Sequence, residues 1–489
     1  MKLGFLMLLL ALTTTIYAKE ILVSSEPEFT SALQKAVGGD MIVWKAGEYQ
    51  NVKLNFVSTA AVSATNPIVF KAEQSGKVIF SGNSQLFFGG SYLQAEGFTF
   101  SGTCSLKNGE SVVTFAPQGK SSQLATHCRV TNCAIINYTP IDVMVNQNYI
   151  ELMGAYNEVD HCSFIGKTNQ GPYLVVRYQT DKSFVAGSDA APSSFHHIHH
   201  NYFGYRTLPS DNGGEDMRIG DSRTSFTHGF NIIEYNYFED HHEEAEVISN
   251  KSWNNLYRYN TFINDDGALV LRHGQQCIAY GNYFDGGSGR GVSGGLRVIN
   301  SNQTVFNNYM EHLEGGNKPL KAPICIMSGI EKSEIFEYFA ADSAIVAYNT
   351  VVNSVGPAIR IGTGNKAKGS AYLPPKELTI VGNLFINTVS KDGAVVVIDQ
   401  EGYSFATTSD NLYTNGNSNN IKGVEKQKES KLIQKNGWYY AATTPNEAII
   451  KLINQRLARH GVHLTDAEIT QFNPAWKLKK TDVGVGWKW

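Results

Sequence analysis

The sequence predicts an all-β fold, a parallel β-helix in which short strands coil into a solenoid, on three observations. One short phrase recurs along the chain, and its tightest spacings are 24, 22 and 26 residues. The segments between recurrences are short β-branched and aromatic runs punctuated by Gly, Asn and Asp. Both ends carry amphipathic segments of the kind that close an open coil.

The phrase is an apolar residue, two or three mixed residues, Asn, and then aromatic or β-branched residues. It appears as RVTNCAII at Asn132, IHHNYFGY at Asn201, IEYNYFED at Asn236, YRYNTFIN at Asn260, AYGNYFDG at Asn282, VFNNYMEH at Asn308, VAYNTVVN at Asn349 and IVGNLFIN at Asn383. A period in the twenties with several strands per coil fits a β-solenoid. Leucine-rich repeats share the period, but their LxxLxL frame and helical limb are missing. Coils stack at about 4.8 Å, so the recurrent Asn predicts a ladder of amides bonded from coil to coil.

The elements follow in order. Residues 1–18 have a cationic start at Lys2, an apolar run from Leu3 to Leu12 and a small residue, Ala18, before Lys19. That pattern predicts a secretory signal, hence an exported, periplasmic or secreted chain. The apolar run falls short of the roughly 20 residues that span a bilayer. Phe29, Leu33 and Val37 then predict an N-terminal helical cap stopped by Gly38-Gly39, with MIVWKAGEY as the first strand. The solenoid is expected over residues 19–440 and a C-terminal helical cap or extension over 441–489. In that extension, Thr444-Pro445-Asn446-Glu447 reads as a capping box, Gly461 as the helix stop and Thr465 as the start of a second short helix. Asn411 to Lys431 reads as a long surface loop. A monomer is the simplest expectation for a capped solenoid.

Composition limits the function. With 41 Lys+Arg against 44 Asp+Glu, the net charge of -3 argues against a nucleic-acid partner. A hydrophobic share of 42% and a charged share of 17% exclude a disordered chain. Six cysteines in 489 residues are too few for a disulfide framework, so buried thiols are expected, with Cys133 and Cys162 the pair to check.

The chemistry concentrates between Asn201 and Asn308. HHEEAEVISNKS, residues 241–252, is followed one coil later by LVLRHG, residues 269–274. Lys251 lies 9 residues before Asn260, Arg272 and His273 lie 10 and 9 before Asn282, and Arg297 lies 11 before Asn308. Similar offsets on successive coils predict a basic groove, with Lys251 and His273 about 5 Å apart. Glu244 and Glu246, two residues apart, would point the same way in a strand. They are placed either to form salt bridges with Lys251 and Arg272 or to bind a cation, and Asn212 is a candidate third ligand. Oxygen ligands of this kind suit Ca²⁺ better than zinc. The histidine strings FHHIHH, residues 195–200, and His241-His242 match no closed zinc pattern, because strand alternation splits each string between two faces.

A Lys, an Arg, a His and a carboxylate-bound cation on an open groove suit removal of a proton α to a carboxylate. Preorganised positive charge stabilises the developing dianion, and crowding by cations favours the neutral amine that a base requires. A tyrosine, His273 or Arg272 is placed to donate a proton to the departing oxygen.

EAEVISNKS and LRHG, with DNGGEDMRIG upstream and GGLRVINSNQTVFNNY downstream, resemble polysaccharide lyase family six, which includes alginate lyases and the dermatan-cleaving chondroitinase B. The similarity spans roughly residues 26–387. It implies a right-handed parallel β-helix that cleaves a 4-linked uronate polymer by β-elimination. It assigns Lys251 as the base and Arg272 as the group assisting protonation of the leaving oxygen. It makes His273 essential or substrate-binding, Asn212, Glu244 and Glu246 calcium ligands, and Arg218 and Arg297 substrate contacts. GGLRVIN is similar to the alginate-cleaving members, so alginate is the expected substrate and dermatan sulfate the alternative. A polysaccharide-binding β-helix without activity and a pectinase-like hydrolase are the other readings. The hydrolase needs clustered acids, and Asp265-Asp266 is the nearby acidic pair outside the proposed metal site.

Overall fold

The chain is described by a computed structural model covering residues 18–119, 123–180, 182–207, 213–242, 244–287, 289, 291–364, 372–388, 393–440 and 445–488. Residues 1–17 of the proposed signal segment 1–18, and Asn212, lie outside these residues.

Among the described residues, three long sheets of 14, 14 and 13 strands, taken in the order the chain visits them, run along the molecule, and neighbouring coils pair in parallel. Each coil contributes one strand to every sheet. His197–His199 lies in the first sheet, Tyr202–Phe203 in the second and Met217–Ile219 in the third, before Ile232–Glu234 returns to the first. This is a right-handed parallel β-helix, the hand that crossovers between parallel strands adopt. Inward residues stack on their equivalents: Phe203, Phe238, Phe262 and Phe284 form a column with ring centroids 4.7, 4.8 and 4.5 Å apart.

The asparagine ladder stands at the corner between the first and second sheets. Asn201, Asn236, Asn260, Asn282, Asn308, Asn349, Asn383 and Asn411 are fully buried. Each Oδ1 from Asn236 onward accepts both the backbone N–H and the amide N–H of the Asn one coil earlier, at 2.8–3.1 Å. Asn132 does not belong to it. That residue occupies the preceding left-handed position, φ 50°, which His161, His200, Tyr235 and Tyr259 fill in later coils. Cys133 and Cys162 take the ladder position in these early coils, and Cys162 N–H donates to Asn201 Oδ1 at 3.0 Å. All six cysteines are free and buried. A second buried column at the corner between the third and first sheets includes Asn157, His196, Asn231 and Asn255.

The N-terminal helix α1 (Glu26–Lys35) covers the open coil, setting Phe29 among Trp44, Phe56 and Phe70. It stops at Ala36, before the glycines, and a strand at Glu20–Val23 precedes the expected first strand at Met41–Trp44. The stretch 411–431 is not simply a loop, because Asn411–Tyr413 and Val424–Lys426 pair as strands of the second sheet.

Helix α2 (Glu447–Leu457) is capped by Asn446, and the left-handed Gly461 follows its last turn; Thr444 of the expected capping box lies outside the described residues. Helix α3 (Asp466–Thr470) opens on a Thr465–Glu468 capping box. These helices lie along the flank of the first sheet, because Leu256, Ile278, Tyr280, Phe306, Ile345 and Val381 form an outward apolar stripe there. Ile449, Ile450, Ile453 and Leu457 cover it. The chain then runs back along the solenoid. Gly484 N–H donates to His200 O and Val485 N–H to Ser163 Oγ, and the Trp487 indole packs against Gly76. No helix among the described residues is long and apolar enough to cross a membrane.

Candidate active site

Strands Met217–Ile219, Glu246–Lys251, Ala268–His273 and Leu296–Val298 are consecutive in the third sheet. Lys251 pairs directly with His273, as the offsets predict. Because Asn250 pairs with Leu271, Arg272 is the extra residue of a β-bulge. A bulge bends the strand and re-aims its side chain, which allows adjacent Arg272 and His273 to serve the same cleft. Arg218 and Arg297 lie on one row of the sheet, linked through Ser249 and Val270.

Carboxylates sit among these cations. Glu246 Oε1 is 3.8 Å from Arg272 Nε and 3.6 Å from Arg297 Nη1. Lys251 Nζ pairs with neither expected glutamate. It lies 4.0 Å from Glu215 Oε1, which is also 3.8 Å from Arg218 Nε. Glu244 precedes the strand instead of lying in it, and its carboxylate accepts Gly214 N–H at 3.3 Å and Ala245 N–H at 2.8 Å. Burial and the neighbouring Glu215 and Glu246 push the Glu244 carboxyl above its ordinary range. Glu215 stays below that range: burial acts to raise it, but the Arg218 and Lys251 charges outweigh burial. Glu215 Oε2 is buried without a partner, as are Nε and Nη2 of Arg297.

His273 is buried, 3.3 Å from Ser222 Oγ through Nε2. Burial, with Arg272 and Lys251 nearby, drives its pKa well down, so the ring is neutral at neutral pH. Arg272 is fixed from the far side of the cleft. Its guanidinium donates to Glu337 O at 2.6 Å and Phe336 O at 3.2 Å and lies 4.0 Å from the Tyr338 ring centroid. Asp265, of the acidic pair considered for hydrolysis, is buried and held well above the ordinary carboxyl range by burial and Asp216.

The structure therefore brings together Lys251, Arg272, His273, Arg218, Arg297, Glu244 and Glu246. Glu215 and Tyr338 are additions. Glu215 stands three residues after Asn212 in the segment already singled out, but a loop of different length separates it from its ladder Asn, so offset counting missed it. Tyr338 arrives from an insertion and has no sequence signal.

The sequence profile of the family described as Chondroitinase B matches residues 23–455. The chain belongs to this family. Among solved structures, the chondroitinase B family fold here superposes on one titled PL6 family alginate lyase AlyGC with a TM-score of 0.79 and 29% identity. The match covers 96% of this chain and 59% of that one, so the chain spans about three fifths of that protein's length. A mannuronic acid specific family 6 lyase from human gut microbiota matches at TM-score 0.70 and 24% identity, over 94% of this chain and 98% of that one. The family 6 lyase Pedsa3628 from Pseudopedobacter saltans matches at 0.65 and 24%, over 96% and 99%. At such identities the last two speak for the fold alone. No curated protein matches the chain.

Proposed function

We propose that this protein is a polysaccharide lyase that cleaves a 4-linked uronate polymer, alginate in the first instance, by β-elimination. The observation that carries the reading is the register of Lys251 with His273, with Arg272 bulged out beside them over a cleft of further arginines. Lys251 takes the C5 proton of the uronate. The unpaired Nε and Nη2 of Arg297 offer a planar donor pair to a carboxylate, and Arg218 adds positive charge on the same row. Arg272, held between Tyr338 and Glu246, is the group assigned to assist protonation of the departing oxygen. Neutral His273 adds no competing positive charge beside Lys251.

Glu244 and Glu246, with the neighbouring Glu215, are the residues that would hold calcium, and Asn212, the third ligand the sequence suggests, lies outside the described residues. All three are oxygen ligands of the kind a hard cation takes and Glu215 Oε2 has no partner, but their carboxylates are not among the clusters of the described residues whose ligand atoms lie within 4.8 Å of one another. When bound, calcium supplies positive charge that offsets the substrate carboxylate.

Alginate is favoured by Arg297 in the cleft and by the alginate lyases among the structural relatives. The family description supports dermatan sulfate as the second substrate to test. Purified enzyme incubated with each polymer decides. Elimination creates a conjugated double bond that absorbs in the ultraviolet, hydrolysis gives reducing ends without it, and a binding protein gives neither. Absorbance with alginate is the expected result, and reducing ends alone would overturn the reading.

A further inference from the structure

The histidine string at residues 195–200 has no part in the cleft. Strand alternation does split it, but the split brings two of its members together. His196 and Ile198 turn inward, while His197 and His199 both face outward on the first sheet. Their neighbours are acidic: Glu158 pairs with His197 across one edge of the strand and Glu234 with His199 across the other.

The side chains cross these pairings. His199 Nε2 is 2.9 Å from Glu158 Oε1, and His197 Nε2 is 2.8 Å from Glu234 Oε1. The two imidazole centroids are 4.0 Å apart. One ring nitrogen from each histidine and a Glu158 oxygen all lie within 4.8 Å of one another. Metal–ligand bonds of about 2.0–2.2 Å draw such a set together with small rotations.

Surrounding groups reinforce this arrangement. A ligating histidine characteristically uses its other ring nitrogen as a donor, which fixes tautomer and orientation. His199 Nδ1 lies 2.8 Å from His200 Nδ1, and His200 is itself stacked against His161, with centroids 5.0 Å apart. With the His199 proton on Nδ1 and donated to His200, Nε2 carries the free lone pair. His161 Nδ1 is anchored 2.7 Å from Asp160 Oδ2. On the other flank Arg258 bonds the second oxygen of Glu234, Oε2, and leaves Oε1 facing His197.

The geometry points to a metal site formed by His197, His199 and Glu158 on the first sheet, with Glu234 bonded to His197 beside it, separate from the cleft and selective for a Zn²⁺-like ion. Two imidazoles and a carboxylate, with a fourth position open, suit a tetrahedral transition metal, whereas calcium favours oxygen alone. Binding exchanges the protons bridging the His–Glu pairs for the ion. The ligands come from strands Glu158–Asp160 and His197–His199 on consecutive coils, with Glu234 on the next, and between these strands the chain passes through the third sheet at Leu174–Val176 and Met217–Ile219. An ion here adds a cross-link to coils already paired strand to strand, and binding to the folded form alone stabilises it.

The test uses the full mature chain, untagged and freed of metal, titrated with Co²⁺ as a spectroscopic substitute. The expected result is one equivalent with the strong visible bands of a tetrahedral ion, displaced by Zn²⁺, and a melting temperature raised by Zn²⁺. His197→Ala and, separately, Glu158→Gln should each weaken Co²⁺ binding at least tenfold, with circular dichroism and turnover unchanged. Glu244→Gln should leave the visible bands intact, so failure of the cleft cation reading is distinguishable from failure of this one. Octahedral bands only, bands that survive in both His197→Ala and Glu158→Gln, or bands lost in His312→Ala at the Asp285–Glu311–His312 cluster would overturn the assignment.

Discussion

At the corner between the first and second sheets, each amide of the asparagine ladder is matched by a partner one coil away. On the third sheet of the same coils, Glu215 Oε2 and Arg297 Nε and Nη2 are buried and unmatched. Both regions bury polar groups, and each unpaired one costs about 1–3 kcal/mol. The ladder satisfies its groups internally and so serves the fold. The cleft leaves its groups for something external, which is the physical signature of a binding surface in a repetitive architecture.

The comparison breaks most sharply at Lys251. Lys251→Ala should lower turnover by about a thousandfold, within the range for loss of a general base, while the melting temperature moves by only a few degrees. Retained turnover with a large loss of stability would make Lys251 a ladder-like residue. Asn282→Ala should do the reverse. It removes the acceptor of Asn260 N–H and Nδ2–H and the donor to Asn308, so denaturant unfolding should show about 2–3 kcal/mol lost, with activity per folded molecule preserved.

Chelation is a gentler probe of the cleft. EDTA should slow uronate cleavage roughly tenfold, an effect of about 1.4 kcal/mol, and added calcium should restore it. If the rate is indifferent to chelation, the arginines neutralise the substrate carboxylate alone.

A pH-dependent effect lies in the second buried column. Burial lowers His196 to about 3, whereas in the unfolded chain it titrates near 6.5. Below about pH 6.5 the unfolded state takes up a proton that the folded state refuses. Stability therefore falls as pH drops from there towards 3, by up to about 1.4 kcal/mol per unit. His196→Asn, which places in this column the residue type of Asn157 and Asn231, should flatten that slope in acid unfolding curves. An unchanged slope would assign the acid sensitivity elsewhere.

The solenoid was legible because its period, its corner asparagines and its N-terminal cap are local patterns, whereas the C-terminal helices expected as a cap lie along the flank of the first sheet. Asn132 misled because a left-handed turn and the ladder position beside it both favour Asn, and the phrase alone does not distinguish them. Lys251 and His273 were legible for the same reason as the ladder, being at equal offsets from consecutive corners. Glu215 and Tyr338 were not, since each reaches the cleft from an excursion whose length carries no register. The outward pairing of His197 and His199 was visible as alternation, but the facing Glu158 and Glu234 belong to coils far away in sequence.

The returning C-terminal segment sets an order of events in biogenesis. Gly486 N–H donates to Asn132 Oδ1 across 354 residues, and Trp487 rests on Gly76. Coils made early during synthesis must wait for residues near 487 before they are latched. The apolar stripe from Leu256 to Val381 is covered sooner, once Ile449 to Leu457 have been made.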